Sequence, residues 1–285
     1  MNTLRQLLAD ADAMLRTGPH AEKARLDAET LLLHLLKQSR AWLLAHSDDH
    51  SDATAQAEFV DLIARRRAGE PIQYITGETE FFGLPFHVSP DVLIPRPETE
   101  HLVEEVLRLS AHLNQQQLRI ADIGTGSGAI AVALAYKLPQ AHISATDISH
   151  QALAIAQSNA DRNHVADRIQ FLAGDLLAPL IGQTFHILAS NPPYVPLRDR
   201  ESLSVEVRDH EPATALFAGQ DGLAIYQRLI PEAQNFLDPG GWLALEIGHG
   251  QQAQIEELLR ASSYRDIHFV PDYQGIPRVA AARRD

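Results

Sequence analysis

The amino-acid sequence predicts an α/β protein: a seven-stranded, mostly parallel sheet, preceded by a small N-terminal helical bundle that a β-hairpin joins to it. Three observations support this. Leucines recur at helical spacing early in the chain, aromatic and β-branched residues surround a Gly-Leu-Pro turn, and strand and helix patterns alternate from Leu118 onward. Such alternation is typical of a parallel sheet covered by helices on both faces. We place the bundle at residues 1–72, the hairpin and linker at 73–97 and the sheet domain at 98–285.

Three helices are expected in the bundle, over residues from Thr3 onward, 21–37 and 52–68. The apolar face of the first comprises Leu4, Leu7, Leu8, Ala11 and Leu15. Gly69-Glu70-Pro71 stops the third helix. The preceding run Arg65-Arg66-Arg67 is most simply a solvated helix end favoured by the dipole, with a docking contact as the alternative.

The connector begins with a hairpin over residues 80–88, around the turn Gly83-Leu84-Pro85. Pro95 and Pro97 keep the following segment extended. Acidic residues then open a helix that runs to about Leu109, where they suit the positive end of the helix dipole.

The sheet domain shows seven strand patterns separated by helix patterns. The predicted strands cover residues 118–123, 142–147, 169–173, 185–190, 242–247, 266–270 and 279–282. The predicted helices cover residues 129–137, 150–162, 223–236 and 251–261.

Composition excludes several functional classes. The formal net charge of −13 speaks against tight, sequence-independent nucleic-acid binding, which needs a cationic surface. The chain has no cysteine, so a disulfide, a thiolate zinc site and a cysteine nucleophile are impossible. The N-terminus lacks the form of a signal peptide, and the longest apolar run, Ala129 to Tyr136, is far too short to span a membrane. We expect a soluble cytoplasmic protein without membrane association.

A glycine-rich loop, Gly124-Thr125-Gly126-Ser127-Gly128, closes the first strand and opens a helix. Glycines at alternate positions allow a sharp turn and a close approach of ligand to backbone. The alternative is a tight strand–helix turn that binds nothing. The Gly-x-Gly-x-Gly spacing differs from the Gly-x-Gly-x-x-Gly of dinucleotide enzymes, whose loop wraps a pyrophosphate. The shorter form suits S-adenosylmethionine, an adenosine with an amino-acid tail and no phosphate.

Acidic residues follow the second and third strands. Asp147 can accept hydrogen bonds from both hydroxyls of a ribose, or it can cap the next helix. Asp175 can accept from an adenine amino group while Leu176 packs on the ring. The alternative for Asp175 is a turn residue.

The motif Asn191-Pro192-Pro193-Tyr194 follows the fourth strand, which should neighbour the first and bring Asn191 beside the glycine loop. The Asn191 side-chain carbonyl and the Pro192 backbone carbonyl can accept both hydrogens of one planar –NH₂ group. Tyr194 offers a face for stacking on that group. A simple turn is the alternative.

This arrangement suits an amide acceptor. An amide nitrogen is a poor nucleophile because its lone pair is delocalised into the carbonyl. Two fixed acceptors return electron density to nitrogen and aim its lone pair at a sulfonium methyl, and carbonyl dipoles stabilise the positive charge that develops on nitrogen. No dedicated base is required, because an N-protonated amide loses its proton readily.

Several motifs together resemble one known family. They are Tyr74-Ile75-Thr76-Gly77, the run from Ile94 to Glu100 (Ile-Pro-Arg-Pro-Glu-Thr-Glu), the loop from Asp122 to Gly128, Ser190 to Tyr194, Glu211-Pro212, Asp221-Gly222-Leu223 and Leu245-Glu246-Ile247-Gly248. On these motifs the chain resembles, over nearly its full length, the bacterial release-factor glutamine methyltransferases of the PrmC/HemK family. The run that begins at Ile94 is the most specific, since adenine-N6 methyltransferases share the Asn-Pro-Pro-Tyr tetrad.

The resemblance implies a Rossmann-like methyltransferase sheet and a set of roles. Residues 124–128, Asp147, Leu176 and Asn191 would bind S-adenosyl-L-methionine, which leaves as S-adenosyl-L-homocysteine. Residues 191–194 would bind the target glutamine, in the Gly-Gly-Gln loop of class I peptide-chain release factors, and the helical bundle would help to dock the factor. Methylation there would tune translation termination. In the family Arg96 lies near the cofactor; the alternative for Arg96 is a surface salt bridge.

Two other functions compete with this interpretation. A nucleic-acid adenine-N6 methyltransferase would use the same tetrad on a flipped base, but it should carry a basic groove, which the net charge disfavours, so we expect no direct sequence-specific nucleic-acid binding. A nucleotide-binding module without catalysis would have no need of an intact tetrad.

Histidines raise the possibility of a metal site. His46 and His50 are four residues apart, but the residues between them read as a solvated loop. His186, in a strand, and His249, after one, are best explained as packed or hydrogen-bonded side chains. We therefore expect no metal.

Overall fold

A computed structural model describes residues 2–113, 115 and 117–285 of the chain. The chain divides into two compact units. A helical unit comprises Met1–Gly77 and Leu203–His210, and an α/β unit comprises Glu78–Ser202 and Glu211–Asp285. In chain order the helices and strands are α1 (Leu4–Leu15), α2 (Ala24–Leu36), α3 (Arg40–Ala45), α4 (Ala53–Arg67), α5 (Ile72–Thr76), β1 (Glu78–Phe81), β2 (Leu84–His87), α6 (Thr99–Leu113), β3 (Leu118–Ile123), α7 (Ala129–Lys137), β4 (Ala141–Asp147), α8 (His150–Arg162), β5 (Ile169–Ala173), β6 (Phe185–Ser190), α9 (Val205–His210), α10 (Ala213–Leu216), α11 (Ala224–Ala233), β7 (Leu237–Glu246), α12 (Gln252–Ala261), β8 (Arg265–Pro271) and β9 (Pro277–Arg283).

The helical unit confirms the three predicted helices. Thr3 caps α1 through a reciprocal capping box with Gln6, and the predicted apolar face of α1 is buried. The second helix starts later than predicted because residues 21–23 form a 3₁₀ turn. The short helices α3 and α5 were not predicted, since neither is long enough to show a helical period.

One prediction for the helical unit is wrong. Arg66 is not solvated with its neighbours but is only 2% exposed. Its guanidinium donates to Asp27 at 2.6 Å, to the backbone carbonyl of Glu70 at 3.0 Å and to Glu206 of α9. Sequence spacing could not reveal this, because Asp27 and Glu206 are distant in the chain.

The hairpin is confirmed, but its turn is not at Gly83-Leu84-Pro85. Phe82 and Gly83 form the turn with φ of 54° and 73°, and Leu84 and Pro85 already belong to β2. A two-residue hairpin loop requires positive φ at such positions, which glycine supplies without strain.

The seven-stranded sheet is confirmed, with strand order β5-β4-β3-β6-β7-β9-β8. The first five strands are parallel and β9 runs antiparallel to both of its neighbours. Strand β3 lies beside β6, as predicted. Strand β7 starts at Leu237, earlier than predicted, and its register with β6 shifts between Phe185 and Ile187. Because β3, β4 and β6 are parallel neighbours, the loops at their carboxyl ends meet at one edge of the sheet.

Two apolar clusters cover the faces of this sheet. One contains buried residues of α6, α7 and the hairpin, and the other contains those of α11 and α12. No helix of the described residues is both long and apolar enough to cross a bilayer.

Candidate functional site

A cavity of about 390 Å³ opens at the carboxyl ends of β3, β4, β5 and β6. This volume lies in the range of small-molecule sites. Its lining includes residues 124–127 of the glycine loop, Asp147, Asp175, Leu176, Asn191 and Pro193. The structure therefore brings most of the predicted site residues together. Gly128, the buried Pro192 and Tyr194 are not among the lining residues.

The glycine loop has a conformation that needs glycine. Gly124, Gly126 and Gly128 have φ of 73°, 55° and 81°. A Cβ on Gly128 would also lie 3.0 Å from the Cβ of Ala156, so this glycine permits the close packing of α7 on α8. The loop is fixed at its start, where Gly124 and Thr125 donate backbone N–H groups to the carbonyl of Thr146 at 2.9 Å.

Asp147 organises the loop as well as facing the cavity. One carboxylate oxygen accepts from the backbone N–H of Gly126 at 2.8 Å and the other from that of Ser149 at 2.9 Å. The cap of α8 is Ser149 rather than Asp147, because the Ser149 hydroxyl accepts from the N–H of Ala152. Each Asp147 oxygen keeps lone-pair capacity for a further donor.

The other wall of the cavity carries Asp175 and Leu176. Asp175 is half-exposed and forms an ion pair with Arg228, which also lines the cavity. Leu176 has a left-handed backbone conformation with φ of 48°, and its carbonyl accepts from the Thr146 hydroxyl at 3.0 Å. Apolar Ile148 and Ile130 complete this part of the lining.

Asn191 lines the cavity, and one end of its side-chain amide is already hydrogen-bonded within the protein. Its Nδ2 donates to the hydroxyl of Thr99 at 3.0 Å, which leaves Oδ1 as the acceptor at the cavity. Tyr194 lies behind this position, where its hydroxyl donates to Oε1 of Glu246 at 3.2 Å. Burial raises the pKa of the Tyr194 hydroxyl far above its usual value, so it remains a neutral donor.

Two buried carboxylates that the sequence did not single out support the site. Asp122, at the end of β3, accepts from the Thr125 hydroxyl at 2.6 Å and from the N–H of Ala131. Glu246, at the end of β7, is 1% exposed. Burial raises the pKa of each to about 7, and one oxygen of each has no hydrogen-bond partner in the described part of the chain.

Asn159 of α8 connects the hairpin to the glycine loop. Its side chain accepts from the N–H of His87 at 2.6 Å and donates to the carbonyls of His87 and Ser127 at 3.0 and 2.9 Å. Sequence reasoning missed this residue. The available signal was its position on the buried face of a helix whose other buried residues, three alanines and Leu153, are apolar.

Arg96 lies at the cavity and also forms a salt bridge, but that salt bridge is not the surface pair that the sequence left open as the alternative. It lines the cavity, and its Nη2 donates to both carboxylate oxygens of Glu211 at 2.7 and 2.6 Å. Because the Glu211 side chain is 1% exposed, this pair is part of the cavity wall and not a surface salt bridge.

Two of the histidines considered as metal ligands have other partners, by ring stacking or by hydrogen bonding. His46 stacks on Trp42 at 4.3 Å between ring centroids, and its Nδ1 is 2.8 Å from the Trp42 carbonyl. His186 accepts from the N–H of Arg119 at 2.9 Å. Within residues 2–113, 115 and 117–285, no group of three or more histidine or acidic side chains is placed to hold a metal ion.

Comparison with known proteins covers both units. A family model described as the PrmC N-terminal domain matches residues 6–77, and one described as the methyltransferase small domain matches residues 105–207. The release factor glutamine methyltransferase of Moorella thermoacetica is 46% identical over 284 residues, which cover 99% of each chain. The protein of that name from Koribacter versatilis is 43% identical over 261 residues, which cover 91% of each chain.

Solved structures share the fold of this chain. The 16S rRNA methyltransferase RsmC of T. thermophilus, in complex with AdoMet and guanosine, aligns with a TM-score of 0.54 at 19% identity, over 73% of this chain and 50% of that chain. The N-terminal domain of human METTL16, in complex with SAH, aligns with a TM-score of 0.53 at 20% identity, over 79% and 83%. At these identities the likeness extends to the methyltransferase fold and no further.

Proposed function

The chain belongs to the release factor glutamine methyltransferase family, and from this premise we propose that it transfers a methyl group to the side-chain amide nitrogen, N5, of a glutamine in a peptide-chain release factor. The methyl donor is S-adenosyl-L-methionine, and S-adenosyl-L-homocysteine is the product. The proposal further assigns the target to the Gly-Gly-Gln loop of class I factors, and the protein to the cytoplasm. The observation that supports it most directly is the placement of Asn191 on the cavity, with its Nδ2 held by Thr99.

The cavity residues fit the methyl donor. S-adenosyl-L-methionine, when bound, supplies a methyl carbon attached to a positively charged sulfur. Asp147 has the remaining lone pairs to accept from two ribose hydroxyls, Ile148 and Leu176 provide apolar surface for an adenine ring, and the backbone of residues 124–128 can approach a ligand without side chains in the way. Asp175 is the proposed acceptor for the adenine amino group, which would require it to share or exchange its partner Arg228.

Asn191 and Pro192 are proposed to hold the acceptor amide. The Oδ1 of Asn191 and the carbonyl of Pro192 accept the two amide hydrogens, and this shifts electron density toward the nitrogen and fixes the direction of its lone pair. Pro193 lines the cavity beside them. Stacking of the Tyr194 ring on the amide plane is also proposed, and it would require this ring, which is not among the lining residues, to become accessible to the bound substrate. After transfer, the N-protonated amide loses its extra proton to water without a dedicated base.

The proposed function is tested with the intact protein, purified release factor and isotopically labelled methyl donor. We expect one additional methyl on one glutamine of the factor, located by mass spectrometry. Asn191→Ala should retain cofactor affinity within a few-fold and lose on the order of 100-fold or more in turnover, because one acceptor at the developing charge is gone. Label found in DNA or RNA and not in the factor, or unchanged turnover of Asn191→Ala, would contradict the proposal.

The helical unit is proposed to dock the release factor. In the proposed organisation, residues 1–72 form the docking bundle, 73–97 the hairpin and linker, and 98–285 the methyltransferase domain. Support comes from its match to the PrmC N-terminal domain and from three exposed apolar side chains, Leu26, Leu44 and Val60, which are 61%, 74% and 52% exposed. We expect Leu44→Glu to raise the KM for the intact factor and to leave the KM for a short Gly-Gly-Gln peptide unchanged. An equal effect on both substrates would contradict a docking role.

A further inference from the structure

A series of neighbouring polar side chains leads from the cavity into the interior of the sheet. It begins at Asn191, whose Nδ2 donates to the Thr99 hydroxyl at 3.0 Å. Thr99 is 4% exposed, and its hydroxyl lies close to the Glu246 carboxylate. Burial raises the pKa of that carboxyl, and the nearby Thr99 hydroxyl offsets part of the increase. Tyr194 donates to the same carboxylate at 3.2 Å. Glu246 is thus linked to both ends of the Asn-Pro-Pro-Tyr motif. It bonds directly to Tyr194, and Thr99 lies between it and Asn191.

The direction of these hydrogen bonds follows from the chemistry of the groups. An ionised carboxylate can only accept, and a threonine hydroxyl has a single hydrogen to give. When Glu246 is ionised, the Thr99 hydrogen points to it, and the Thr99 oxygen accepts from an N–H. Of the two ends of the Asn191 amide, only the NH₂ group can satisfy that oxygen.

We propose that Glu246 and Thr99 are positioning residues that select which end of the Asn191 amide faces the acceptor. With Nδ2 turned to Thr99, the cavity receives Oδ1, which accepts from a substrate NH₂. If the amide were rotated by half a turn, Nδ2 would face the cavity. Both Nδ2 and the substrate NH₂ are donors, so no hydrogen bond would form between them. The inference rests on the proposed function, because it explains how that function obtains an acceptor at this point.

Charged and titratable groups around Glu246 determine the pH range in which it is ionised and therefore fixes the orientation of the Asn191 amide. Glu98 precedes α6, Arg278 lies on β9, Tyr194 follows β6, and Tyr226 of α11 donates to the backbone carbonyl of Glu246 at 2.7 Å. Burial is the largest influence and raises the pKa of Glu246 to about 7; repulsion from Glu98 acts in the same direction and attraction to Arg278 opposes it.

Protonation of Glu246 therefore removes the constraint near neutral pH. A carboxylic acid can donate to the Thr99 oxygen, and the Thr99 hydrogen is then released to bond to Asn191 Oδ1. The rotated amide becomes acceptable to Thr99, and the cavity loses its acceptor. Turnover should rise with pH as Glu246 ionises.

The inference is tested by Thr99→Val with Thr99→Ser as the matched control, in the intact protein with release factor as substrate. Valine keeps the shape of threonine and removes the hydroxyl, whereas serine keeps the hydroxyl. We expect Thr99→Val to lower kcat roughly 10- to 100-fold and to change the cofactor Kd by less than about 3-fold, whereas Thr99→Ser should stay within about 3-fold of wild type in both.

The pH profile separates orientation from packing. Wild type and Thr99→Ser should show an ascending limb in kcat near pH 7, and Thr99→Val should lack it, because Glu246 is no longer connected to Asn191. Glu246→Gln provides a second test if Thr99→Val does not fold: its kcat should be reduced and independent of pH over this range. The inference would be overturned if kcat of Glu246→Gln rose with pH near 7 as in wild type, or if Thr99→Val and Thr99→Ser lost kcat equally.

The two proposals fail in different ways. If the wild-type protein transfers no methyl to release factor, the proposed function fails. If the wild type does transfer it and Thr99→Val has wild-type kcat and pH dependence, only the positioning role fails.

Discussion

Each of the two units of this chain has a buried charged side chain, and the two side chains differ in how completely they are compensated. In the helical unit, Arg66 is 2% exposed and donates to Asp27, to Glu206 and to the carbonyl of Glu70. In the α/β unit, Glu246 is 1% exposed, and its Oε2 has no partner among the residues that the structure describes. The first charge is surrounded by opposite charge, and the second is left partly unsatisfied beside the proposed substrate site.

The difference separates a structural role from a functional one. A buried ion with several counter-charges keeps one protonation state, and removing a partner destabilises the fold. A buried acid with incomplete compensation has a pKa near neutrality, so its state can change under working conditions. Buried ionisable groups that look alike in an exposure profile can thus be distinguished by how completely their hydrogen-bonding capacity is satisfied.

The largest expected effect is that of Arg66→Met. Methionine fills similar space and leaves Asp27 and Glu206 without their cation, so the free energy of unfolding of the helical unit should fall by about 3–5 kcal/mol. The measurement is urea unfolding followed by the fluorescence of Trp42 in a Trp242→Phe background, since the chain has two tryptophans. Arg65→Met, which removes a more exposed pair with Glu70 on the same helix, is the control and should cost about 0–1 kcal/mol. Equal losses in the two variants would erase the contrast on which the comparison depends.

A neutral buried group tests whether charge or burial alone sets the cost. Asn159 is 0% exposed, and Asn159→Ala leaves groups of His87 and Ser127 unsatisfied, so the α/β unit should lose about 2–3 kcal/mol and bind the cofactor more weakly. Denaturant unfolding and titration calorimetry measure the two effects. Gln157→Ala, at an exposed position on the same helix, should change neither. Cofactor affinity equal to that of wild type would show that Asn159 does not support the glycine loop.

The third expected effect is the pH dependence of stability in Glu246→Gln. Burial raises the pKa of Glu246 to about 7 in the folded protein, so between its unfolded pKa of 4.5 and about 7 the folded state binds more protons than the unfolded state. The stability that this group contributes is present below pH 4.5 and is lost as the pH rises through 7, at no more than about 1.4 kcal/mol per pH unit. Glutamine does not titrate, so the variant should gain stability relative to wild type as the pH rises from 5 to 8.

Urea unfolding at several pH values measures this gain. The control is Glu256→Gln, which removes a carboxylate paired with Arg260 on the surface of α12. Its stability curve should run parallel to that of wild type. A parallel curve for Glu246→Gln as well would mean that Glu246 is compensated in the folded protein in the way that Arg66 is.

The residues that sequence reasoning located share one property: each stands next to a recognisable strand end. The glycine loop follows β3, Asp147 ends β4 and Asn191 follows β6, so knowing the strands and their order was enough to bring them together. The sheet itself was predictable because strand and helix periods differ clearly over long segments.

The residues that sequence reasoning missed act through contacts between distant positions. Asn191 and Thr99 are 92 positions apart, and Tyr194 and Glu246 are 52 apart. No local pattern encodes such a pair, although Thr99 and Glu246 both lie within motifs that carried the family resemblance. The same limit explains Arg66, which reads as part of a solvated basic run until Asp27 and Glu206 are placed beside it.

The path of the chain between its units restricts how the protein can be divided. The polypeptide leaves the helical unit after Gly77, re-enters it at Leu203 and departs again after His210. A fragment that stops at Gly77 lacks Glu206, one of the anions around Arg66. A fragment that starts at Glu78 still contains Leu203–His210, which belongs to the helical unit. Chimeras that exchange recognition modules between relatives therefore have to transplant both stretches together, since no single junction separates them.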